Sequence, residues 1–246
     1  MNKKITKVSI VIPVKNEEDN IKILSDEVTG VMDKTDIEWE CLWVDDYSDD
    51  TTHDELRAMN KKNPKHKYLF HDKNYGQSAA LSTGFQAAKY DIIATLDGDG
   101  QNDPGCIPEL VETLVKNDAD MVNGWREKRI DNFIRKMSSK LANGFRNKIT
   151  GESVKDVGCA LRVFKKECTL NMPVFKGMHR FFPTLTRISG HQKILEQPVR
   201  HRSRERGQTK YGINNRLWVG IVDTMAVCWM KRRMVYPETV KTESHD

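Results

Sequence analysis

Five short apolar runs, separated by segments of helical periodicity, constrain this chain more than any other feature. Val8-Ser-Ile-Val-Ile-Pro13-Val14 is nearly continuous in β-branched residues, as a strand covered on both faces requires. Cys41-Leu-Trp-Val44, Lys67-Tyr-Leu-Phe70, Ile92-Ile-Ala-Thr-Leu96 and Asp120-Met-Val-Asn123 repeat the theme. Ile21, Leu24, Val28 and Val31 recur at helical spacing. An Ala-rich helix is expected to end near Lys89, and another helix to run from about Pro108 to Lys116. Strand and helix therefore alternate, which predicts a parallel sheet flanked by helices on both faces. Asn16 is expected to cap the first helix, with Glu17-Glu18-Asp19 at its positive end, and Thr51 or Thr52 to cap the second.

In such sheets ligands bind beyond the carboxyl ends of the strands. Asn16–Asp19, Asp45-Asp46, Asn74–Gln77 and Asp97–Gln101 all fall there. A single polar turn is unremarkable, but four at one edge favour a ligand site. No Gly-x-Gly-x-x-Gly follows the first strand and no Gly-x-x-x-x-Gly-Lys-Ser/Thr occurs, which argues against the usual dinucleotide and phosphate loops. Asp97-Gly98-Asp99 sets two carboxylates one residue apart. Each raises the other's pKa unless a cation neutralises them. A hard divalent cation with oxygen ligands does so, and Gln101 adds a neutral oxygen.

The 246 residues, 38% hydrophobic and 30% charged, suit one α/β domain with an appendage. The five cysteines show no pairing pattern and read as reduced, mostly buried thiols of a cytosolic protein. The start of the sequence does not read as a signal peptide. No apolar run reaches the ~18 residues of a membrane span; Leu217–Met230 comes nearest and contains Asp223.

The second half is basic. Lys128–Lys148 reads as a cationic amphipathic helix, Asp156–Arg162 as a turn and strand, and His179-Arg180-Phe-Phe-Pro183 as the opening of a helix. From Arg200 to Lys210 four arginines and a lysine crowd together, a set that calls for a phosphate or diphosphate. Nucleic acid is disfavoured, because aromatic residues are sparse there and the ligand edge is acidic. Arg216–Arg233 reads either as a core helix or as an interfacial one, with Trp218 and Trp229 at headgroup depth over anionic lipid. The tail beyond Pro237 reads as disordered, and the sequence permits a homo-oligomer.

Val8–Glu17, Asp45-Asp46-Tyr-Ser-Asp, Asn74–Gly84 and Asp97–Pro104 together resemble the family 2 glycosyltransferases of GT-A fold. Arg135-x-x-x-Ser139-x-x-x-Asn143, Asp156-x-Gly-Cys-x-Leu-Arg162 and Arg204-x-x-Gly207-x-Thr-Lys210 are similar to the dolichol-phosphate mannose synthase branch, which includes bacterial polyprenyl-phosphate glycosyltransferases. The resemblance covers about residues 7–212. It implies a GT-A domain over 1–212, in a nucleotide-sugar half (1–125) and an acceptor half (126–212), then an amphipathic helix (213–236) and a tail (237–246). It implies that Pro13, Val14, Asn16, Glu17, Asp45, Asp46, Gly76, Gln77, Asp97 and Gly98 hold a GDP- or UDP-sugar. Asp97, Asp99 and Gln101 are then the ligands of Mg2+ or Mn2+, with Asp99 among the catalytic residues. Arg204 and Lys210 are expected to close over the phosphates, and Arg135 and Ser139 to meet the acceptor phosphate.

Two features depart from the family. Tyr47 and Asp50 stand where glycines are common, and the C-terminal membrane spans of many relatives have no counterpart here. A sugar hydroxyl acceptor needs a general base, whereas a lipid phosphate with a second pKa of ~6 is largely dianionic at neutral pH. The cationic second half suits the phosphate. The expected activity is inverting hexose transfer to a polyprenyl phosphate by a peripheral protein at the cytoplasmic membrane face. The rivals are transfer to a sugar hydroxyl of a polysaccharide, and a non-catalytic nucleotide-binding module.

Overall fold

In a computed structural model, which describes residues 6–127, 144, 149–203 and 216–235, seven strands form one sheet. They are β1 (Lys7–Val14), β2 (Glu38–Asp45), β3 (His66–Phe70), β4 (Ile92–Thr95), β5 (Met121–Arg126), β6 (Arg162–Lys165) and β7 (Ile194–Val199). Their order is β3-β2-β1-β4-β6-β5-β7. The expected parallel sheet is largely present, with β1 parallel to both β2 and β4, β2 to β3, and β5 to β7. β6 is the exception, running antiparallel to both β4 and β5. The fifth strand also runs on to Arg126, three residues past the expected Asn123.

The helices are α1 (Glu18–Met32), α2 (Thr52–Lys62), α3 (Gln77–Ala87), α4 (Ile107–Lys116), α5 (Glu167–Leu170), α6 (Phe182–Ile188) and α7 (Arg216–Arg233). The pleat of β1 sends side chains into two cores. Ile10, Ile12 and Val14 join Ile21 and Leu24 of α1, Leu56 of α2 and Leu110 of α4 on one face. Val11 joins Leu81 and Phe85 of α3, Phe182 and Leu185 of α6, and Val227 of α7 on the other. Phe85, Phe164 and Phe182 form an aromatic triangle in that second core, with ring centroids 5.4–6.0 Å apart. α3 approaches the sheet closely at Gly84, where a Cβ would fall 2.3 Å from Val11 Cγ1.

α7 buries one face against the core and exposes the other. Thr224 and Val227 are buried, whereas Val222, Met225 and Trp229 are each more than 60% exposed. No helix among the described residues is long and apolar enough to cross a membrane. All five cysteines are free, and four of them are buried, as expected. The segments 128–143 and 145–148, the basic loop from 204 to 215, and the tail from 236 lie outside the described residues. Arg135, Ser139, Arg204 and Lys210 are therefore outside them, as is the side chain of Trp218.

Candidate active site

The chain leaves β1 towards β2 on one side, and β4 joins β1 on the other. Loops diverging from two adjacent parallel strands open a crevice at their carboxyl ends. Pro13 and Val14, both buried, end β1 on this crevice. Gly98 rests against them. A Cβ there would lie 2.5 Å from Val14 Cγ1 and 3.2 Å from Pro13 O, so only glycine lets the Asp97–Asp99 loop lie this close.

Burial, and next the charge of Asp99, raise the Asp97 carboxyl well above the usual carboxylate range. Arg162 and Arg126 act on it in the opposite sense, as does the 2.7 Å hydrogen bond that Gln77 Nε2 donates to Asp97 Oδ1. Asp99 Oδ1 accepts from Gln101 N over 3.1 Å, which folds the loop back on itself. The Gln101 amide nitrogen faces Arg202 O at 3.4 Å, so its Oε1 can still serve as a ligand atom. Two carboxylates and an amide oxygen, with one carboxyl under electrostatic stress, are a donor set suited to a hard divalent cation.

The expected cap at Asn16 is not formed. Asn16 takes a left-handed φ of 50°, and Glu17 occupies the N-cap of α1 without a side-chain cap bond. Thr51 likewise occupies the N-cap of α2 without using its hydroxyl there. The loops after β1 and β2 cap each other instead. Glu17 N donates to Thr52 Oγ1 (3.0 Å) and Glu18 N to Asp50 Oδ2 (3.4 Å), while Thr51 N donates to Glu18 Oε2 (2.9 Å). Asn16 N also donates to Ser48 Oγ (2.8 Å), and the Asn16 amide pairs with Asp49 in both directions. Glu17 Oε2 accepts from Asn20 Nδ2 over 2.7 Å.

Asp45 is fully buried. Its Oδ1 accepts from Ser48 N and Oγ, and its Oδ2 lies 2.5 Å from His53 Nε2. Burial raises its pKa. Asp46 also turns inward: it accepts from Tyr75 N (2.8 Å) and Gly76 N (2.6 Å) and pairs with His71 Nδ1 (2.9 Å). It thereby fixes the loop before α3, in which Gly76 adopts a φ of 93° open to glycine at no cost. Tyr47 takes a left-handed φ of 65° with about half its surface exposed.

Three further charged residues meet at this edge: Arg126, which no sequence motif marks, and Asp156 and Arg162, which the resemblance marks without a role. Arg126 forms a bidentate pair with Asp156, Nε to Oδ2 at 2.7 Å and Nη2 to Oδ1 at 3.0 Å. Arg162 is buried, donates to Asn123 Oδ1 (2.9 Å) and Val157 O (2.6 Å), and lies over the Phe182 ring. Burial lowers its pKa to about 10, so it stays cationic at neutral pH. The strand-end rule applied to β5 would have found Arg126, but nothing local marks Arg162 as buried.

The crowded basic segment proves partly self-neutralised. Arg200 pairs with Asp103 at 2.6 Å, and Arg202 with Glu27 at 2.8 Å. Their repulsion therefore does not itself call for an external anion. Arg202 N donates to Gln101 O over 2.8 Å, which ties the start of the basic loop to the Asp99 loop. At the opposite edge of the sheet, Asp120, Glu167 and His191 bring ligand atoms within 4.8 Å of one another. Lys165 Nζ already lies 3.5 Å from Asp120 there.

The site is thus a crevice at the β1/β4 switch with an Asp-Gly-Asp loop at its mouth. Residues 9–238 match the model of glycosyl transferase family 2. The chain belongs to that family. It is 34% identical over 233 residues to a dodecaprenyl-phosphate galacturonate synthase of Rhizobium johnstonii, covering 94% of this chain and 69% of that protein. It is 36% identical over 212 residues to an undecaprenyl-phosphate 4-deoxy-4-formamido-L-arabinose transferase of Edwardsiella ictaluri, covering 86% and 65%. The chain thus spans about two thirds of the length of these relatives. Among solved structures, the glucosyl-3-phosphoglycerate synthase of Mycobacterium tuberculosis with Mn2+ and UDP superposes with a TM-score of 0.68 at 16% identity, covering 92% of this chain and 80% of that one. The mannosyltransferase PcManGT of Pyrobaculum calidifontis, with GDP-Man and Mn2+, gives 0.64 at 16% identity, covering 96% and 67%. The fold is accordingly the GT-A architecture, and the chain is a glycosyltransferase of that fold.

Proposed function

We propose that this transferase moves a hexose from a GDP- or UDP-sugar to a polyprenyl phosphate, with inversion, at the cytoplasmic face of the membrane. The observation that carries the acceptor class is the state of the second-half groups at the ligand edge. Asp156, a carboxylate that a hydroxyl acceptor could use as base, is held bidentately by Arg126. His179 is kept neutral by burial, its pKa lowered to about 3. A phosphate acceptor arrives already ionised and needs neither. The names of the relatives point the same way.

Asp97, Asp99 and Gln101 are the residues that would hold Mg2+ or Mn2+. Such an ion supplies Lewis-acid neutralisation of charge on the departing nucleoside diphosphate. The chain does the rest. Pro13 and Val14 wall the crevice, and the clasped loops of Asn16–Glu18 and Ser48–Thr52 fix its nucleotide end. Asp45 backs that end from beneath, and Asp46 holds Gly76 and Gln77 in place. Arg135, Ser139, Arg204 and Lys210 are assigned to the acceptor and donor phosphates. The exposed stripe Val222, Met225 and Trp229, followed by Lys231-Arg232-Arg233, sets α7 against an anionic lipid surface.

The test is transfer from labelled UDP- and GDP-sugars to undecaprenyl phosphate in detergent or vesicles, with Mn2+ or EDTA. Metal-dependent formation of a lipid-phosphate sugar is expected. Transfer to a soluble sugar hydroxyl, with none to the lipid phosphate, overturns the reading.

A further inference from the structure

His179 is a partly buried titratable group at the ligand edge to which the function above gives no positive task. It lies in the short 3-10 turn Met178–Arg180, just before α6. Its Nδ1 is 3.1 Å from Ser78 Oγ, in the first turn of α3. The same oxygen accepts from Gly177 N over 3.0 Å. Ser78 is 4% exposed, and a buried hydroxyl needs an acceptor for its proton. The Gly177 amide can only donate, so the hydroxyl proton goes to His179 Nδ1. The proton of the neutral ring then resides on Nε2. Burial and the charges of Arg180 and Arg162 keep the imidazole from taking up a second proton.

Nε2–H is left as a hydrogen-bond donor with no partner among the described residues, on a side chain that retains access to solvent. Its position is set by the site. Ser78 follows Gln77, which holds Asp97, and Arg162 acts electrostatically on both Asp97 and His179. The ring is therefore docked, from the second half of the chain, on the residue next to the one that holds Asp97. A neutral donor in the field of two guanidinium groups is poorly chosen for a phosphate, which those cations serve better, and well chosen for an uncharged oxygen.

We propose that His179, set by Ser78, donates a hydrogen bond from Nε2–H to a hydroxyl oxygen of the sugar being transferred, and so helps choose that sugar. This rests on the nucleotide-sugar reading above.

The experiment compares dissociation constants of UDP and GDP with those of UDP-glucose, UDP-galacturonate and GDP-mannose, all with Mn2+, by calorimetry. Wild type is expected to bind at least one nucleotide-sugar more tightly than its bare nucleotide. His179→Ala is expected to reduce that gain by about tenfold, the worth of one such hydrogen bond, and to leave the bare nucleotide unchanged. His179→Gln, whose amide nitrogen reaches a similar point, is expected to keep most of the gain. Nitrogen NMR of the free protein is expected to show His179 protonated on Nε2 alone. An unchanged gain in His179→Ala, equal losses for nucleotide and nucleotide-sugar, or an Nδ1–H tautomer each overturns the inference while the donor reading stands. Absence of any nucleotide binding by wild type removes the donor reading, and this inference with it.

Discussion

Gln77 and Asp97 share one hydrogen bond of 2.7 Å, and it ties the first turn of α3 to the loop that follows β4. The bond favours the ionised form of a carboxyl that burial drives the other way. Gln77→Ala removes a neutral donor worth about 1 kcal/mol. The variant is expected to stay folded and to bind Mn2+ several-fold more weakly at pH 7. Thermal shift with UDP or GDP, with and without Mn2+, reads this directly. Unchanged metal dependence would show that the bond does not prepare the site.

Asp99→Asn keeps the size of the side chain and removes its charge. Turnover is expected to fall by several orders of magnitude, while the far-ultraviolet circular dichroism stays that of wild type. EDTA should reproduce the loss in wild type, and excess Mn2+ should reverse it. Wild-type turnover that ignores EDTA contradicts the assignment of this loop to a metal.

Gly98→Ala puts a methyl group 2.5 Å from Val14 Cγ1 and 3.2 Å from Pro13 O. The backbone of one loop has to yield, at about 1–3 kcal/mol. A lowered melting temperature together with weaker nucleotide binding is expected. Loss of stability alone, with full nucleotide affinity, would mean that the loop moves without deforming the crevice.

Acid should destabilise the fold through His66. This ring is 1% exposed, accepts from Trp43 Nε1 at Nδ1 over 3.1 Å, and pairs with Thr29 Oγ1 through Nε2. Burial lowers its pKa from 6.5 to about 4. The unfolded chain therefore binds a proton below pH 6.5 that the folded chain refuses. Stability from this group is complete above pH 6.5 and is lost as the pH falls towards 4, by up to about 3 kcal/mol at ~1.4 kcal/mol per pH unit. His179, with its pKa lowered to about 3, acts in the same sense. Urea unfolding from pH 4.5 to 7.5 should show the slope, and His66→Gln should flatten it.

The outer stripe of α7 separates lipid contact from folding. Met225 is 64% and Trp229 63% exposed, whereas Val227 is 0% exposed. Met225→Ser with Trp229→Ser is expected to release the protein from anionic vesicles and leave its melting temperature nearly unchanged. Val227→Ser is expected to lower the melting temperature by several degrees. Unfolding of the double variant, or its undiminished vesicle binding, removes the lipid assignment.

The alternation of apolar runs made the sheet and its ligand edge legible, because buried parallel strands leave an uninterrupted apolar signature. The placement of Gln77, Asp97 and Gly98 at that edge could be read for the same reason, since each sits at a strand or helix end. The caps could not. Asn16 and Thr51 have the right chemistry for local capping, but their partners lie 32 or 33 residues away on the neighbouring loop. Local spacing carries no trace of that exchange. The charge run at Arg200–Lys210 misled in part for the same reason, since Asp103 and Glu27 are distant in sequence from the arginines they neutralise. β6 is four residues long and gave no hint of its direction.

That direction has a consequence for how such a chain can diversify. β5 ends, and the reversed β6 begins, at the same edge of the sheet, so the 35 residues between Arg126 and Arg162 leave and rejoin the scaffold at the edge that carries the Asp97–Asp99 loop. The strand register is set by pairings outside that stretch. Changes of length or composition within it can therefore accumulate like those of a cassette, without a shift in the pairing of the strands on either side.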